Sequence, residues 1–344
     1  MLSNYNSLIV NILNLLLYLY NKIMLSNYNF KGEDYRMKIY KSFDDMRDAL
    51  KDETGFREYL EQAKWRGTPV CPHCGCISTE HYKLKTKGEF KGLYKCKHCR
   101  ERFTVTTKTM FDGTHIPLRK WFEVIFMFLT NKVGLSSMYI HRHIGVTQKT
   151  AWFMLNRIRQ NMNKIIRFKD IVQIDETYVS VKRKKGQHSQ GRSLKTKVPV
   201  VGFRSGSMVN TFITKDATKK TLLPLIKEIV EKGSTVVTDE WGAYNGLNRH
   251  GYTHERVNHS HGQYVNKSGF STNGIENFWS HLKRMIFGIY RKVSAKHLYW
   301  YCAECAYRYN TRSLKDGERL ILFVSEAITT LTYKETTHQE MFAF

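Results

Sequence analysis

The sequence predicts an α/β protein, its sheet domain preceded by a cysteine module and a helix-turn-helix. Three observations carry this. From Asp170 onward, short apolar runs alternate with amphipathic stretches, the pattern of strands interleaved with helices. Upstream, two Cys-x-x-Cys pairs stand at Cys71/Cys74 and Cys96/Cys99. Between these regions, residues 136–159 read as two helices around Gly145.

Composition narrows the partners. A chain of 344 residues with 42% hydrophobic and 13% aromatic content can build two folded domains, which excludes a disordered protein. Its 55 Lys and Arg against 30 Asp and Glu give a formal charge of +25, which points to nucleic acid. The seven cysteines are odd in number, and four form the two close pairs. That pattern argues for a reducing compartment and bound metal, not a disulfide framework.

In chain order, residues 1–36 read as an upstream extension or translated noncoding DNA. Met-Leu-Ser-Asn-Tyr-Asn occurs twice there, and Met24 and Met37 offer later starts. The apolar run 7–24 is interrupted by Asn11, Asn14, Asn21 and Lys22, so neither a membrane anchor nor a signal peptide is expected. Residues 37–70 are a helical lead-in, with Phe43, Met46, Leu50, Phe56, Leu60 and Ala63 as the apolar positions. Residues 71–112 read as a zinc ribbon. Four thiolates from Cys71, Cys74, Cys96 and Cys99 suit a structural tetrahedral Zn²⁺ and leave no open catalytic position. His73, Cys76 and His98 are read as packing or solvated neighbours.

Residues 113–166 form the expected helix-turn-helix region. The run 116–132 is apolar nearly all round and predicts a buried helix. Gly145 makes the turn and Thr147 caps the second helix. Gln148, Lys149, Asn156, Arg157 and Arg159 are its polar positions. The DNA contacts are assigned to Gln148, Lys149, Arg157 and Arg159, with the helix N-terminus in a major groove. A helical hairpin used only for packing is the plainer alternative.

Residues 167–315 are the α/β domain. Strands are expected at 171–180, 198–203, 208–214, 234–238 and 253–257. The stretch 182–197 is basic and free of acids, so Lys182, Arg183, Lys184 and Lys185 are expected to grip DNA backbone. One helix should begin near Thr221, because Pro224 is tolerable only in a first turn, and end at Lys232-Gly233. Others cover 272–287 and 295–310, the latter holding Cys302 and Cys305 as core thiols. Residues 316–344 read as a C-terminal tail.

Three acids stand out. Asp175 and Asp239 end apolar strands, and Glu276 lies on an apolar-periodic helix. An acid at a strand end is ordinarily a solvated terminus, as Glu176 and Glu240 are read to be. Adjacent strands, however, can present Asp175 and Asp239 side by side, and a helix across that edge can bring in Glu276. Acids so gathered repel one another, and hard divalent cations relieve the repulsion. Two Mg²⁺ or Mn²⁺ ions there could clamp a scissile phosphate. Lys283 follows Glu276 by about two helical turns and faces the same way, so its ammonium could hold a DNA phosphate. The histidines His250, His254, His259 and His261 are read as scattered DNA-contacting or structural residues, with His259 the best candidate for a neighbour of this site.

These residues resemble a known family. The carrying stretches are Cys71-Pro-His-Cys-Gly with Cys96-Lys-His-Cys, Ile174-Asp-Glu-Thr-Tyr, Thr238-Asp-Glu-Trp-Gly-Ala-Tyr and Val257-Asn-His-Ser. They continue with Thr272-Asn-Gly-Ile-Glu-Asn-Phe-Trp-Ser-His-Leu-Lys-Arg, Lys296-His-Leu, Tyr307-Arg-Tyr-Asn-Thr-Arg and Leu331-Thr-Tyr-Lys-Glu. From about Phe43 to Glu340 the chain resembles DDE transposases of ISXO-type insertion sequences and the related Merlin elements. The resemblance implies an RNase H-like mixed sheet with flanking helices, and DNA cut-and-join chemistry. It carries the metal triad onto Asp175, Asp239 and Glu276, with Lys283 as the trailing lysine. The chain departs where a glycine often follows the first strand; Ser180 and Val181 stand there.

The expected activity is cleavage and strand transfer at terminal inverted repeats. Its partners are element ends and target DNA, with no small-molecule substrate, and its working form is a homodimer or larger assembly. The location is the nucleoid-associated cytoplasm of a bacterium or the nucleus of a eukaryote. Alternatives are an inactive or domesticated transposase acting as a DNA-binding regulator, and an RNase H-like nuclease that cuts without joining.

Overall fold

The computed structural model describes residues 37–87, 92–182, 196–258 and 264–338. The doubtful extension 1–36 lies outside them. Among the described residues, no helix is long and apolar enough to cross a membrane.

The lead-in forms α1 (Phe43–Leu50) and α2 (Glu53–Trp65), each with an acceptor side chain at its N-cap. Ser42 Oγ accepts from Asp45 N, and Asp52 Oδ1 accepts from Gly55 N. Strands β1 (Tyr82–Lys83), β2 (Tyr94–Lys95) and β3 (Arg102–Phe103) make the small antiparallel sheet of the ribbon. Helix α3 (Leu118–Thr130) follows Pro117 and has no side-chain cap of its own. Glu53 of α2 supplies one, accepting from Leu118 N at 2.8 Å. As the composition of 116–132 predicts, α3 buries Trp121, Phe122, Val124, Ile125, Phe126, Phe128 and Leu129.

Helices α4 (Ser137–Ile144) and α5 (Gln148–Met162) are joined as the sequence predicts. Gly145 sits at φ 69°, ψ 34°, where a side chain would be strained. Thr147 accepts from Thr150 N and starts α5.

The α/β domain contains β4 (Ile171–Ser180), β5 (Lys197–Ser205), β6 (Met208–Ile213), β7 (Thr235–Thr238) and β8 (Thr253–Arg256). Their spatial order is β6-β5-β4-β7-β8. The first three run antiparallel, and β7 and β8 run parallel to β4. This is an RNase H-like mixed sheet. Side-chain alternation sends Val172, Ile174, Val201 and Phe203 toward α6 (Lys219–Ile229). Val179, Val198 and Val200 face α7 (Asn273–Met285) and α8 (Leu298–Asn310), where Cys302 and Cys305 are core thiols. A π-helical turn, Ile286–Tyr290, follows α7.

Two sequence expectations need correction. Helix α6 begins at Lys219, so Pro224 lies inside it, and it ends at Ile229, before Lys232-Gly233. Asp216 Oδ1 organises the earlier start by accepting from Thr218 N, Thr218 Oγ1 and Thr221 Oγ1. The buried face of Leu222, Leu225, Ile226 and Ile229 holds the helix despite the missing Pro224 N–H. The stretch read as a tail is also structured. It carries α9 (Asp316–Glu326), which buries Leu320, Ile321, Phe323 and Val324 and packs on α2 and α3, and then α10 (Tyr333–His338). Those four apolar residues fall at helical spacing and needed a partner surface.

Candidate functional site

The sheet register brings the first two acids together. β4 and β7 pair Ile171 with Thr235, Val172 with Val236 and Gln173 with Val237. Continued by two residues, that register sets Asp239 beside Asp175. Glu276 arrives from the first turn of α7, which packs on β4 and β5.

Each carboxylate is steadied by a protein donor. Trp279 Nε1 donates to Asp175 Oδ2 at 2.9 Å, Trp241 N to Asp239 Oδ1 at 2.9 Å, and Thr272 Oγ1 to Glu276 Oε1 at 2.6 Å. Burial pushes the Asp175 carboxyl up to about 6, and the charges of Asp239 and Glu276 push the same way against the Trp279 hydrogen bond. The three acids therefore share one electrostatic site. Their oxygens do not all lie within 4.8 Å of one another; among the described residues, only sets containing cysteine do.

Two glycines allow α7 this close. Gly202 stands opposite Asp175 in the β4–β5 register. A Cβ there would be 2.6 Å from the Trp279 ring and 2.8 Å from Ile275 Cδ1. One at Gly274 would collide with the Arg204 guanidinium. Arg204 Nη1 donates to Gln173 Oε1, which also accepts from Ile275 N at 3.1 Å and so ties the start of α7 to β4.

Sequence reasoning missed Trp279 and Gln173. Trp279 lies among the buried apolar positions of α7, and a buried indole N–H demands an acceptor. Glu176, read as solvated, accepts from the buried Tyr244 hydroxyl. His254 Nε2 pairs with Thr238 Oγ1 at 2.9 Å, and burial drives the imidazole down to about 4, so it is neutral and supports β7. His259 and His261 lie outside the described residues.

The cysteine site is tighter. Cys71 and Cys99 Sγ are 3.7 Å apart, and Cys74 and Cys96 are 3.6 Å apart. Tetrahedral thiolates with Zn–S bonds of about 2.3 Å would stand roughly 3.8 Å apart. The four thiols fit a structural Zn²⁺. His81 and Cys76 form a second close group with Cys96. His81, however, spends Nε2 on Cys76 O and Nδ1 on Lys97 N, so it packs the ribbon.

Comparison with known proteins agrees with this layout. A family profile described as the ISXO2-like transposase domain matches residues 167–310, and one described as the transposase zinc-ribbon domain matches 51–102. An uncharacterized transposase-like protein of Haemophilus influenzae is 35% identical over 107 residues, 31% of this chain and 85% of its own length. The chain belongs to the ISXO2-like transposase family. An uncharacterized protein in transposable element ISH50 of Halobacterium salinarum is 28% identical over 225 residues, 60% of this transposase and 74% of that protein. A chain of a simian T-cell lymphotropic virus intasome aligns over 60% of this chain and 68% of its own, with 16% identity and a TM-score of 0.23.

The structure divides the residues expected on DNA. Gln148 and Lys149 are exposed at the start of α5, with Gln148 Nε2 donating to Ser137 Oγ and Lys149 lying over the Tyr333 ring. Lys182 and Lys283 are exposed. Arg183, Lys184 and Lys185 lie outside the described residues. Arg157 and Arg159 are a correction: both are buried and face inward. Arg157 donates to the carbonyls of Met110, Asp112 and Leu331. Arg159, 1% exposed, donates to Glu304 Oε2 at 2.8 Å and to Asn156 Oδ1, and lies against the rings of Tyr290 and Tyr301. The second half of α5 is core, so only its first turn is free to enter a groove.

Proposed function

We propose that this transposase binds the terminal inverted repeats of its element, cleaves DNA strands beside them and joins the freed ends to target DNA. The observation that carries the reading is the convergence of Asp175, Asp239 and Glu276 around the central strand β4 in a chain of charge +25. Hydrogen-bonded carboxylates that still repel one another are the donor set hard divalent cations take. Bound between them, two Mg²⁺ or Mn²⁺ ions would lower the pKa of a water and neutralise charge building on the phosphate.

The protein groups do the positioning. Trp279 fixes Asp175, Trp241 N fixes Asp239, and Thr272 fixes Glu276. Lys283 would hold a neighbouring phosphate as a point charge. In the first reaction, water oxygen bonds to phosphorus and the P–O3′ bond breaks, leaving a 3′-OH and a 5′-phosphate. In the second, that 3′-OH attacks a target phosphorus and displaces the target strand's 3′ oxygen. Gln148 and Lys149 are the proposed groove contacts, with the ribbon alongside. Lys182 and its basic neighbours Arg183, Lys184 and Lys185 would add backbone grip that weakens steeply with salt. Joining two ends in one event requires a dimer or larger assembly. The protein would act where its DNA lies, in bacterial nucleoid or eukaryotic nucleus.

The test uses labelled end duplexes with Mg²⁺. Asp175→Ala, Asp239→Ala and Glu276→Ala each reduce strand cleavage to background, while gel-shift affinity for the end is retained. Cleavage persisting in any of the three removes that acid from the site. Cleavage without joining by the wild-type protein would favour a nuclease, and binding without cleavage a regulator.

A further inference from the structure

The exposed face of α7 leads from Glu276 to an aromatic that the chemistry above does not use. Met285 and Ile286 keep right-handed helical angles, and Ile286 N donates to Leu282 O, so the helical path reaches Phe287 unbroken. Phe287 follows Glu276 by eleven residues, close to three turns. It therefore shares the face of Glu276 and Lys283 and stands roughly 16 Å from Glu276 along the axis.

Among the described residues Phe287 is the most exposed large apolar side chain, at 74%. A Cβ on its neighbour Gly288 would meet nothing within 4 Å, so the backbone beside the ring also faces open space. One exposed phenylalanine is ordinary on a protein surface; its surroundings decide what it meets. From Asn277 to Ala303 the chain holds no acid and five bases, Lys283, Arg284, Arg291, Lys292 and Lys296. The first four of these are exposed. The root of the basic stretch is stitched to the same end of α7, where Lys182 N donates to Val293 O at 2.8 Å. The centre of a protein-binding face is poor in charge, whereas an aromatic set among cations matches a polyanion whose bases can stack.

We propose that Phe287 is a wedge that enters a base step of the duplex held at the acids, while Lys283, Arg284, Arg291 and Lys292 neutralise the phosphates around it. The inference rests on the proposed cleavage and joining at Asp175, Asp239 and Glu276. An apolar side chain inserted between base pairs parts their stack and kinks the duplex. The parted step lies within about six base pairs of the reacting phosphate, because the ring is roughly 16 Å from Glu276 and base pairs are about 3.4 Å apart. Element end and target DNA present the same base-step chemistry, and the experiment tells them apart.

The experiment uses the full chain without Mg²⁺ and duplexes carrying 2-aminopurine at successive positions. One set consists of element ends, the other of branched duplexes in which an end is already joined to target. Binding of wild-type protein raises fluorescence at the parted step, and the set and strand that respond identify the DNA. Phe287→Ala loses that gain, melts at the wild-type temperature and binds about tenfold weaker. Its salt dependence is unchanged, since no phosphate contact is lost. Phe287→Leu, still an apolar wedge, keeps most of the gain. Equal gains in wild type and Phe287→Ala overturn the proposal, and so does a gain at no position in either set. Loss of a DNA-free dimer in Phe287→Ala, with the gain intact, would overturn it in favour of a contact between copies. Fluorescence does not require cleavage. A Phe287-dependent gain in a protein that never cuts would keep the wedge and refute the catalytic reading, while normal cutting with no such gain would refute the wedge alone.

Discussion

The molecule's two candidate metal sites are built in opposite ways. The cysteine site is closed and set, with its sulfurs already 3.6 and 3.7 Å apart in pairs. The acidic site is looser, with oxygens not all within 4.8 Å and one carboxyl pushed up to about 6, chiefly by burial. Sequence separation explains part of the contrast. Each half of the ribbon is a short turn that delivers two thiols at once, whereas the acids come from a strand, a loop and a helix far apart in the chain. Charge explains the rest. A structural zinc site is completed by folding with its metal, while acids that repel one another and come from separate elements are left apart until a cation is bound.

Removing the ribbon's metal should therefore have the largest effect. Cys71→Ser, or chelation of zinc, unfolds the ribbon, since structural zinc contributes on the order of 10 kcal/mol to such a module. Circular dichroism and amide exchange should localise the loss to the ribbon, leaving the RNase H-like sheet protected. Concerted loss of both regions would show that the ribbon is part of the sheet domain's stability.

The same contrast explains what the sequence disclosed. The ribbon was fully legible, because Cys71, Cys74, Cys96 and Cys99 carry their geometry in their spacing. Strand β4, Gly145 and Thr147 were legible too, since periodicity and capping are local. The acids were recognisable as types, and the resemblance chose among them. Roles that depend on which way a helix turns were hidden. Arg157 and Arg159 share a helix with Gln148 and Lys149, yet Arg159 turns into the seam with α8 onto Glu304 and Arg157 turns onto the carbonyls of Met110, Asp112 and Leu331. Trp279 read as core, which it is, and its indole N–H also anchors Asp175. Pro224 misled because a local rule against interior proline was outweighed by a buried helix face.

A smaller perturbation tests how closely α7 must approach. Gly202→Ala inserts a methyl 2.6 Å from the Trp279 ring, and overpacking of this kind costs about 1–3 kcal/mol. The ring must shift, and with it the N–H that holds Asp175. Cleavage should fall while end binding holds, because Gln148 and Lys149 are on a separate helix. Unchanged cleavage would mean that Asp175 does not need the indole.

The smallest effect concerns the repulsion among the acids. The Asp175 carboxyl is raised from 3.8 to about 6, chiefly by burial. Near pH 3 it is neutral in both folded and unfolded chains and costs nothing. As pH climbs from about 4 to 6, the unfolded chain ionises first, so stability is lost across that window and stays lower above it. Asp175→Asn keeps an acceptor for Trp279 and removes the charge. In EDTA it should be more stable than wild type at pH 7, by on the order of 1–3 kcal/mol, with the gap closing near pH 4. Denaturant melts at the two pH values measure this directly. Mg²⁺ should then stabilise wild type and leave Asp175→Asn nearly unchanged. A gap that is equal at both pH values would place the ionisation of Asp175 elsewhere in the pH scale and overturn the reading of a carboxyl raised by burial.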